Sequence, residues 1–282
     1  MLPVSVIILT HNEEALIEDC LKSLRNSFAD VFILDSFSTD KTIEIARKYS
    51  DKIFEHEFVN YSIQRNWAQE NLPIKTEWIF HLDADERLTE ELLNRLKDIF
   101  SSYPIAVDGI MIPRRTTFMH KWIKHGGHYP VYHLRIFKKS MGRCEDRLYD
   151  QHFMVDGKIV VLGADIIDVI TSNIFKWMKR QSKWAKLEAL EATTLYKGGQ
   201  VQADRDGNPI KQRRWMRQNY YRLPLFIRPF LYFFYRYLFK MGFLDGARGL
   251  VFHLVQGLWF RMLVDIDILK IKSKSIFSSR GR

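Results

Sequence analysis

The chain has 282 residues, of which 46% are hydrophobic and 14% aromatic, so it can bury a sizeable core and is not a disordered chain. Its net charge is +10, and from Gly207 to Leu244 the sequence contains no Asp or Glu. Two cysteines, Cys20 and Cys144, exclude a disulfide framework and a cysteine-rich metal site, and they predict a reducing compartment. We expect no secretory signal, and no membrane-spanning helix, because no uncharged apolar stretch reaches about 18 residues.

The first hundred residues alternate between predicted strands and predicted helices. We predict strands over residues 4–9, 31–34, 53–54 and 78–82, with helices that include residues 17–24, 43–46, 61–72 and 92–99. Asn12, Asp40 and Thr89 are suitable helix caps. This rhythm predicts an α/β fold, a doubly wound and mostly parallel sheet with helices on both faces.

Polar side chains stand where three of the predicted strands end. Thr10 follows the first strand, Asp35 the second, and Asp83 and Asp85 the fourth. The carboxyl ends of parallel strands meet at one edge, where open α/β sheets bind ligands, so we expect these residues along one rim. Two carboxylates two residues apart are suitable ligands for a divalent cation. His81, in the middle of the strand, is predicted to be a packed histidine.

After residue 101 the pattern is less regular. We predict strands over residues 109–112, 134–137 and 158–161, a binding loop over 114–130, a helix over 174–195 and a polar loop over 198–209. The segment from Cys144 to Phe153 is rich in titratable groups.

Aromatic residues and arginines alternate between Trp215 and Phe260, and Pro224 and Pro229 are predicted to break the segment into short helices. Such pieces are typical of helices that lie in a membrane interface, and the alternative is a buried helical hairpin that caps the domain. Basic residues among aromatics also suit single-stranded nucleic acid, but no nucleic-acid motif accompanies them, so we expect no nucleic-acid partner.

Four motifs, in order and spacing, resemble glycosyltransferase family 2, whose members have the GT-A fold. The motifs are residues 4–14, residues 33–42, Gln64-Arg65-Asn66-Trp67-Ala68 and Leu82-Asp83-Ala84-Asp85-Glu86. The resemblance covers about residues 1–110, continues more loosely to about 195, and is greatest to bacterial enzymes of lipopolysaccharide core and exopolysaccharide synthesis.

The resemblance implies a role for each matched residue. It implies that the nucleotide-sugar donor is bound by Thr10, Asn12, Glu13, Asp35, Arg65, Asp83 and Arg135. It implies that Asp85, with Asp83, binds a divalent metal ion, Mn²⁺ or Mg²⁺, which bridges the diphosphate. Glu86 is expected to remain in the rim.

Inverting members of the family need a carboxylate that deprotonates the acceptor hydroxyl. The resemblance implies that this base lies in the acidic segment, where Asp146, Asp150 and Glu145 are the three candidates. Related core transferases have a His-Glu pair where this chain has Asp150-Gln151.

The resemblance therefore implies an inverting, metal-dependent enzyme that moves a single sugar, expected from a UDP-sugar, to a lipid-linked or lipopolysaccharide acceptor. Gln212-Arg213-Arg214-Trp215 is one residue shorter than the motif of processive relatives, so polymer synthesis is not expected. We predict a catalytic domain over residues 1–200, with a nucleotide-binding half (1–110) and an acceptor-binding half (111–200). Residues 210–282 would form a peripheral membrane region on the cytoplasmic face. The alternatives are a catalytically inactive assembly subunit docked on the membrane and a sugar nucleotidyltransferase.

Overall fold

The computed structural model describes residues 1–102, 105–170, 173–193 and 200–280. The chain forms two compact units. Unit 1 comprises Met1–Arg115, Val131–Glu145 and Gln151–Val169, and unit 2 comprises Thr116–Pro130, Asp146–Asp150 and Ile170–Arg282. Residues 116–130, 146–150 and 170–282 are thus grouped together, and the division into a catalytic domain over 1–200 and a membrane region over 210–282 stays a prediction.

Twelve strands are present in the described part of the chain. They are β1 Leu2–Thr10, β2 Phe28–Asp35, β3 Ile53–Glu55, β4 Trp78–Asp83, β5 Glu86–Leu88, β6 Gly109–Phe118, β7 Lys121–Trp122, β8 Val131–Lys138, β9 Gly142–Cys144, β10 Phe153–Val155, β11 Ile159–Val161 and β12 Ile166–Ile170. All but β7 lie wholly or mainly in unit 1.

The main sheet of unit 1 has the strand order β3-β2-β1-β4-β8-β6-β12-β5. The first four strands are parallel, whereas β8 runs antiparallel to both β4 and β6. The predicted α/β class is confirmed, and the sheet is mixed rather than mostly parallel. The reason is that no helical crossover joins β6 to β8, so these two strands pair antiparallel; β11, later in the chain, does pair parallel with β6.

The described residues also form nine α-helices, with short 3-10 and π-helical segments between Tyr235 and Trp259. Unit 1 contains α1 Ile17–Ser23, α2 Thr42–Ala46, α3 Tyr61–Asn71 and α4 Glu90–Ser101; unit 2 contains α5 Ile174–Thr193, α6 Pro209–Tyr221, α7 Ile227–Phe234, α8 Gly246–His253 and α9 Phe260–Arg280. The last two residues of the predicted helix 174–195 lie outside the described ranges. The cap predicted at Thr89 is confirmed, because its Oγ1 accepts a hydrogen bond from the Leu92 amide at 3.1 Å.

The packing of unit 1 explains why the sequences of its parallel strands are continuously apolar. Side chains on both faces of β1 and β4 are buried, including Val6, Ile8, Phe80 and Leu82. His81 is buried between the rings of Phe137 and Phe153, so the prediction of a packed histidine is confirmed.

Two local predictions were wrong for identifiable reasons. Residues 114–130 do not form one long loop, because β6 continues to Phe118 and β7 pairs with its end. Pro229 does not break the helical segment. It lies in the first turn of α7, where the backbone amide has no hydrogen-bond partner within the helix.

Unit 2 is built around the packing of α5, α8 and α9. Phe118, Trp177 and Phe252 form one buried cluster, and Ala185, Ala189, Phe260, Val264 and Ile268 form a second. The described part contains one helical stretch, Gly242–Lys274, long and apolar enough to cross a membrane, in contrast to our expectation; 44% of its apolar window is buried within the protein. The core helix of a soluble protein passes the same test, so length and composition do not distinguish the two roles.

Candidate active site

The predicted rim exists in unit 1. In the sheet register Thr10 of β1 lies opposite Asp35 of β2, and the neighbouring Leu9 lies opposite Asp83 of β4. The three polar residues therefore stand side by side at the carboxyl ends of adjacent parallel strands, as the sequence predicted. In sheets of this kind that edge is the usual site of ligand binding.

The loops that follow β1 and β2 are joined by hydrogen bonds. The Asn12 side-chain oxygen accepts a hydrogen bond from the Thr39 amide at 2.8 Å, and the Asn12 amide donates to Ser38 Oγ at 2.8 Å. The Glu13 amide donates to Thr42 Oγ1 at 2.8 Å. Asn12 was predicted to cap the next helix, but α1 begins at Ile17 without a side-chain cap. The amide of Asn12 bonds instead with the neighbouring loop.

Asp35 is fully buried and shapes the turn that follows it. Its two carboxylate oxygens accept hydrogen bonds from the Ser38 amide at 2.7 Å and from Ser38 Oγ at 2.5 Å. The turn is thereby fixed beside the rim, and the carboxylate retains further lone pairs for a ligand donor. Asp40, predicted as a cap, does accept from the amide of Thr42, the first residue of α2, at 3.0 Å.

Asp83 is held by two arginines. Nη2 of Arg65 lies 3.1 Å from Asp83 Oδ1, and Nη2 of Arg135 lies 2.8 Å from Asp83 Oδ2. Burial favours the neutral acid, but the positive charges of Arg135 and Arg65 outweigh it and hold the pKa of Asp83 well below its usual range. Asp83 is therefore a fixed carboxylate, and about a quarter of its side chain remains exposed.

Glu86 is a buried member of this cluster and does not line the rim as expected. It is 1% exposed, its Oε2 accepts a hydrogen bond from the Asp83 amide at 3.0 Å, and its Oε1 pairs with Arg135. Burial raises the pKa of Glu86 to about 7, opposed by the charge of Arg135 and assisted by that of Asp83. Sequence spacing gave no signal for this role, because an acid after D-x-D looks like part of a solvated turn.

Unpartnered polar atoms also point to a ligand at this rim. Among the described residues, Oγ1 of Thr10 and the Nε atoms of Arg65 and Arg135 are buried without a hydrogen-bond partner. A bound molecule or water can pair with these three atoms; buried unpaired atoms also occur elsewhere in the described residues, for example in His81 and His253.

The residues near Asp85 are compatible with a divalent cation. Asp85 is half-buried and follows β4, where its backbone oxygen accepts hydrogen bonds from the Val169 amide at 2.9 Å and from Arg87 at 3.1 Å. Within the described ranges no three His, Cys, Asp or Glu side chains are grouped so that they could hold an ion by themselves. An ion bound by Asp83 and Asp85 would need its remaining ligands from phosphate oxygens and water, as Mg²⁺ commonly does.

The three predicted bases differ in accessibility. Glu145, in unit 1, is fully buried, and its Oε1 accepts a hydrogen bond from the His152 amide at 3.0 Å. Ser62 donates to the Glu145 backbone oxygen at 2.6 Å. These contacts give Glu145 the environment of a structural residue.

Asp146 and Asp150 belong to unit 2. Asp146 is exposed, whereas Asp150 has a left-handed backbone (φ 56°), and its carboxylate lies 3.0 Å from Arg217 Nη1 and 3.5 Å from Arg214 Nη1. Of the three acids, Asp146 alone is exposed. The ion pairs with Arg214 and Arg217 account for an acidic residue at position 150 without a catalytic role.

Comparison with known proteins gives consistent results. Residues 5–162, more than half of the chain, match the sequence model of Glycosyl transferase family 2. An uncharacterized glycosyltransferase of Rickettsia bellii is 37% identical over 99 residues, which cover 35% of this chain and 33% of the relative. The lipopolysaccharide core biosynthesis glycosyltransferase LpsC of Rhizobium meliloti is 34% identical over 106 residues, 36% of this chain and 38% of LpsC. The chain thus spans about a third of the length of these relatives.

A solved structure shares the fold along nearly the whole chain. The mannosyltransferase PcManGT from Pyrobaculum calidifontis, in complex with GDP-Man and Mn²⁺, superposes with a TM-score of 0.53 over 95% of this chain and 87% of that protein. At 15% sequence identity the likeness is one of fold, and it confirms the GT-A architecture.

Proposed function

Because this chain belongs to glycosyltransferase family 2, we propose that it transfers one sugar from a nucleotide-sugar donor to a lipid-linked or lipopolysaccharide acceptor. The transfer inverts the anomeric centre, depends on a divalent metal ion and takes place at the cytoplasmic face of the membrane. The observation that carries the proposal is the rim of unit 1, where Thr10, Asp35 and Asp83 stand at adjacent strand ends. The donor nucleotide is expected to be uridine, and GDP-Man in PcManGT makes guanosine the first alternative to test.

The donor is bound along this rim. Asp35 accepts a hydrogen bond from the base, and the fixed loops around Asn12 and Glu13 line the ribose side. Asp83 accepts from the ribose hydroxyls, because Arg65 and Arg135 already hold its carboxylate in place. The remaining guanidinium hydrogens of the two arginines suit diphosphate oxygens, which accept charge-assisted hydrogen bonds.

Asp85 would be the main protein ligand of a divalent metal ion. Both oxygens of Asp83 accept hydrogen bonds from arginine, so we propose that Asp83 contributes less than Asp85 to metal binding. When bound, a divalent ion offsets the negative charge that develops on the departing nucleotide diphosphate. Arg65 and Arg135 add fixed positive charge to the same end of the site, so the leaving group meets an environment that is already organised for it.

The acceptor hydroxyl is deprotonated by Asp146. This assignment rests on exposure, because Asp146 is exposed, whereas Glu145 is buried and Asp150 is half-buried. The carboxylate takes the proton as the hydroxyl oxygen attacks the anomeric carbon from the face opposite the leaving group, which inverts the configuration.

The acceptor class is supported by LpsC, whose name assigns it to lipopolysaccharide core biosynthesis. The membrane location is supported by the aromatic and basic C-terminal region, which contains no acid from Gly207 to Leu244. A lipid-anchored acceptor favours an enzyme held at the same surface, since both partners then search in two dimensions.

The experiment is a donor panel on the full-length chain. Binding of UDP- and GDP-sugars is measured by thermal shift and calorimetry, with and without Mn²⁺, together with release of the nucleotide. Asp85→Asn should abolish the effect of the metal on binding and turnover, whereas the matched surface variant Asp51→Asn should behave as wild type. Binding without turnover on any acceptor would favour the inactive assembly subunit. No binding of any donor would refute the proposal.

A further inference from the structure

The helix that begins at Ile227 has an unusual outer face. Helix α7 continues directly into a π-helical turn, Tyr235–Phe239, so the segment is one helix from 227 to 239. Its exposed residues recur at the three- and four-residue spacing of a single helical face and are all apolar or aromatic. We call this face the apolar stripe; its members, each between 45% and 77% exposed, are Ile227, Phe230, Leu231, Phe234, Tyr235, Leu238 and Phe239.

The inner face of the same helix carries its charges. Arg228 is 2% exposed and pairs with the buried Asp265, and its Nε lies 2.8 Å from Asp265 Oδ1. Arg236 is also buried and donates to the Gly126 backbone oxygen at 2.6 Å. A helix at a water surface normally shows the opposite arrangement, with apolar residues inside and charged residues outside.

The helix that carries the apolar stripe is fixed by hydrogen bonds and packing within unit 2. The amide of Phe226, which precedes the helix, donates to Asp265 Oδ2 at 2.8 Å, and Phe233 packs inward against Tyr237. The apolar surface continues past the end of the helix in Met241, Phe243 and Leu244, each about half exposed. A contiguous apolar surface of this kind marks an interaction site rather than scattered exposed residues.

The charges around the stripe indicate what covers it. Arg222 precedes it, Lys240 ends it, and Arg248 follows; all three are exposed. The Lys240 ammonium lies 5.7 Å from the Tyr235 ring, within the range of a cation–π contact. No acid occurs between Gly207 and Leu244, and the next acid, Asp245, is buried. Apolar rings flanked by cations complement acyl chains beneath anionic headgroups.

We infer that the apolar stripe, extended by Met241, Phe243 and Leu244, lies in the interface of a lipid bilayer that contains anionic lipids, with Arg222, Lys240 and Arg248 at the headgroups. The helix lies in the plane of the membrane and does not cross it, because its inner face is occupied by the buried pairs of Arg228 and Arg236. The inference deepens the proposed function and rests on it for the claim that the acceptor is membrane-anchored. A second copy of the chain would bring two sets of exposed cations together, which disfavours a symmetric dimer through this face.

Vesicle flotation of the full-length chain tests the inference. Wild type should bind vesicles of phosphatidylcholine with phosphatidylglycerol, bind phosphatidylcholine alone more weakly, and lose part of its binding in high salt. The double variant Leu238→Glu, Phe239→Glu should bind on the order of tenfold more weakly. The control is Phe175→Glu, which places the same charge at another exposed aromatic of unit 2 and should bind as wild type.

A labelling experiment tests directly whether the apolar stripe enters the membrane interface. Both native cysteines are buried, so a cysteine introduced at Phe239 or Phe175 can be labelled selectively with an environment-sensitive fluorophore. The label at Phe239→Cys should shift to the blue when anionic vesicles are added, and the label at Phe175→Cys should not. Equal shifts at both positions, or a shift at neither, would overturn the assignment of the stripe.

Two readouts keep this inference separate from the proposed function. Donor binding is a property of unit 1, so the stripe variants should bind nucleotide-sugar as wild type does and keep the wild-type circular dichroism spectrum. If the wild-type protein binds no donor, the proposed function is refuted. If the stripe variants bind vesicles as well as wild type does, only the inference is refuted. The inference is also refuted if wild type sediments as a dimer and the stripe variants as monomers while vesicle binding is unchanged.

Discussion

Arg135 on β8 reaches Asp83 at the end of β4, with 2.8 Å between Nη2 and Oδ2. The same guanidinium pairs with the buried Glu86, so one arginine connects the exposed carboxylate of the D-x-D motif with an acid beneath it. Asp83 is thus oriented before any ligand arrives. A carboxylate fixed in advance spends no free energy on reorientation when a donor binds.

Replacement of Arg135 by lysine should damage both donor binding and stability. An ammonium group is a point charge and cannot reproduce the fork that reaches Asp83 and Glu86 together. We expect the unfolding free energy to fall by about 1–3 kcal/mol and donor affinity to fall roughly tenfold. Urea unfolding and calorimetric titration measure the two effects. Arg143→Lys, at an exposed position, is the control, and a loss of equal size there would contradict the role of Arg135.

Asp146→Asn should lower kcat by two orders of magnitude or more and leave donor KM unchanged, because a general base contributes about 10²–10⁴-fold. Glu145→Gln should have a small effect on kcat, since Glu145 is buried and bonded to the His152 amide. Steady-state kinetics with a sugar acceptor distinguish the two. The nearby exposed acid Asp156→Asn serves as control. A larger loss of kcat in Glu145→Gln than in Asp146→Asn would reverse the assignment.

Asp150→Asn should affect stability more than catalysis. The substitution removes the carboxylate that pairs with Arg214 and Arg217, although Arg217 keeps its ion pair with Glu188, and both arginines are largely buried. We expect a loss of about 1–3 kcal/mol in unfolding free energy, with kcat within a few-fold of wild type. Asp206→Asn, an exposed site, should change neither. If kcat falls a hundredfold while stability is retained, Asp150 is the base after all.

Asn12 offers a test of how the two loops are joined. Its backbone is left-handed (φ 55°), and its side chain accepts from the Thr39 amide. Asn12→Ala loses the bond and also strains the backbone by about 1–2 kcal/mol, whereas Asn12→Gly loses only the bond. Both variants should bind donor more weakly, and the alanine variant should melt at the lower temperature. Asn26→Gly, at another left-handed position (φ 52°), should bind donor normally.

Acid should destabilise unit 2 through His253. Burial, with the positive charge of Arg236, lowers the pKa of His253 from 6.5 to about 4, against the opposing charge of Asp245. Between those values the unfolded chain binds the extra proton and the folded chain does not, so the contribution of His253 to the unfolding free energy falls as the pH drops from about 6.5 towards 4, whereas Glu86, with its pKa raised to about 7, contributes in the opposite direction. Urea unfolding at pH 7 and pH 5 measures the fall. His253→Leu should reduce it, and the exposed His120→Gln should not; equal falls in all three proteins would exclude His253 as the cause.

The parallel half of the fold was predictable because each of its signals is local. The apolar strands, the intervening helices and the polar residues at strand ends together define the rim, and the register of Thr10, Asp35 and Asp83 agrees with that prediction. The packed position of His81 also follows from its place within a buried strand.

What could not be predicted depends on contacts between distant segments. Arg65 and Arg135 lie 18 and 52 residues from Asp83, and nothing in their spacing indicates that both arginines hold that acid. The burial of Glu86 depends on the same pairing. The exposure that separates Glu145 from Asp146 is likewise a property of tertiary packing, since two adjacent acids look equivalent in sequence.

Unit 2 is built from segments that are distant in the chain, which restricts how such a protein can change. Phe118 and Trp177 of unit 2 pack against Phe252, so residues from the middle of the chain share a core with residues near its end. Removal of the C-terminal 70 residues would expose that core instead of releasing an intact catalytic fragment. We therefore expect that a C-terminal region taken from a relative would be accepted only if its residues match this core. Changes in what it recognises must arise by substitution within an existing core.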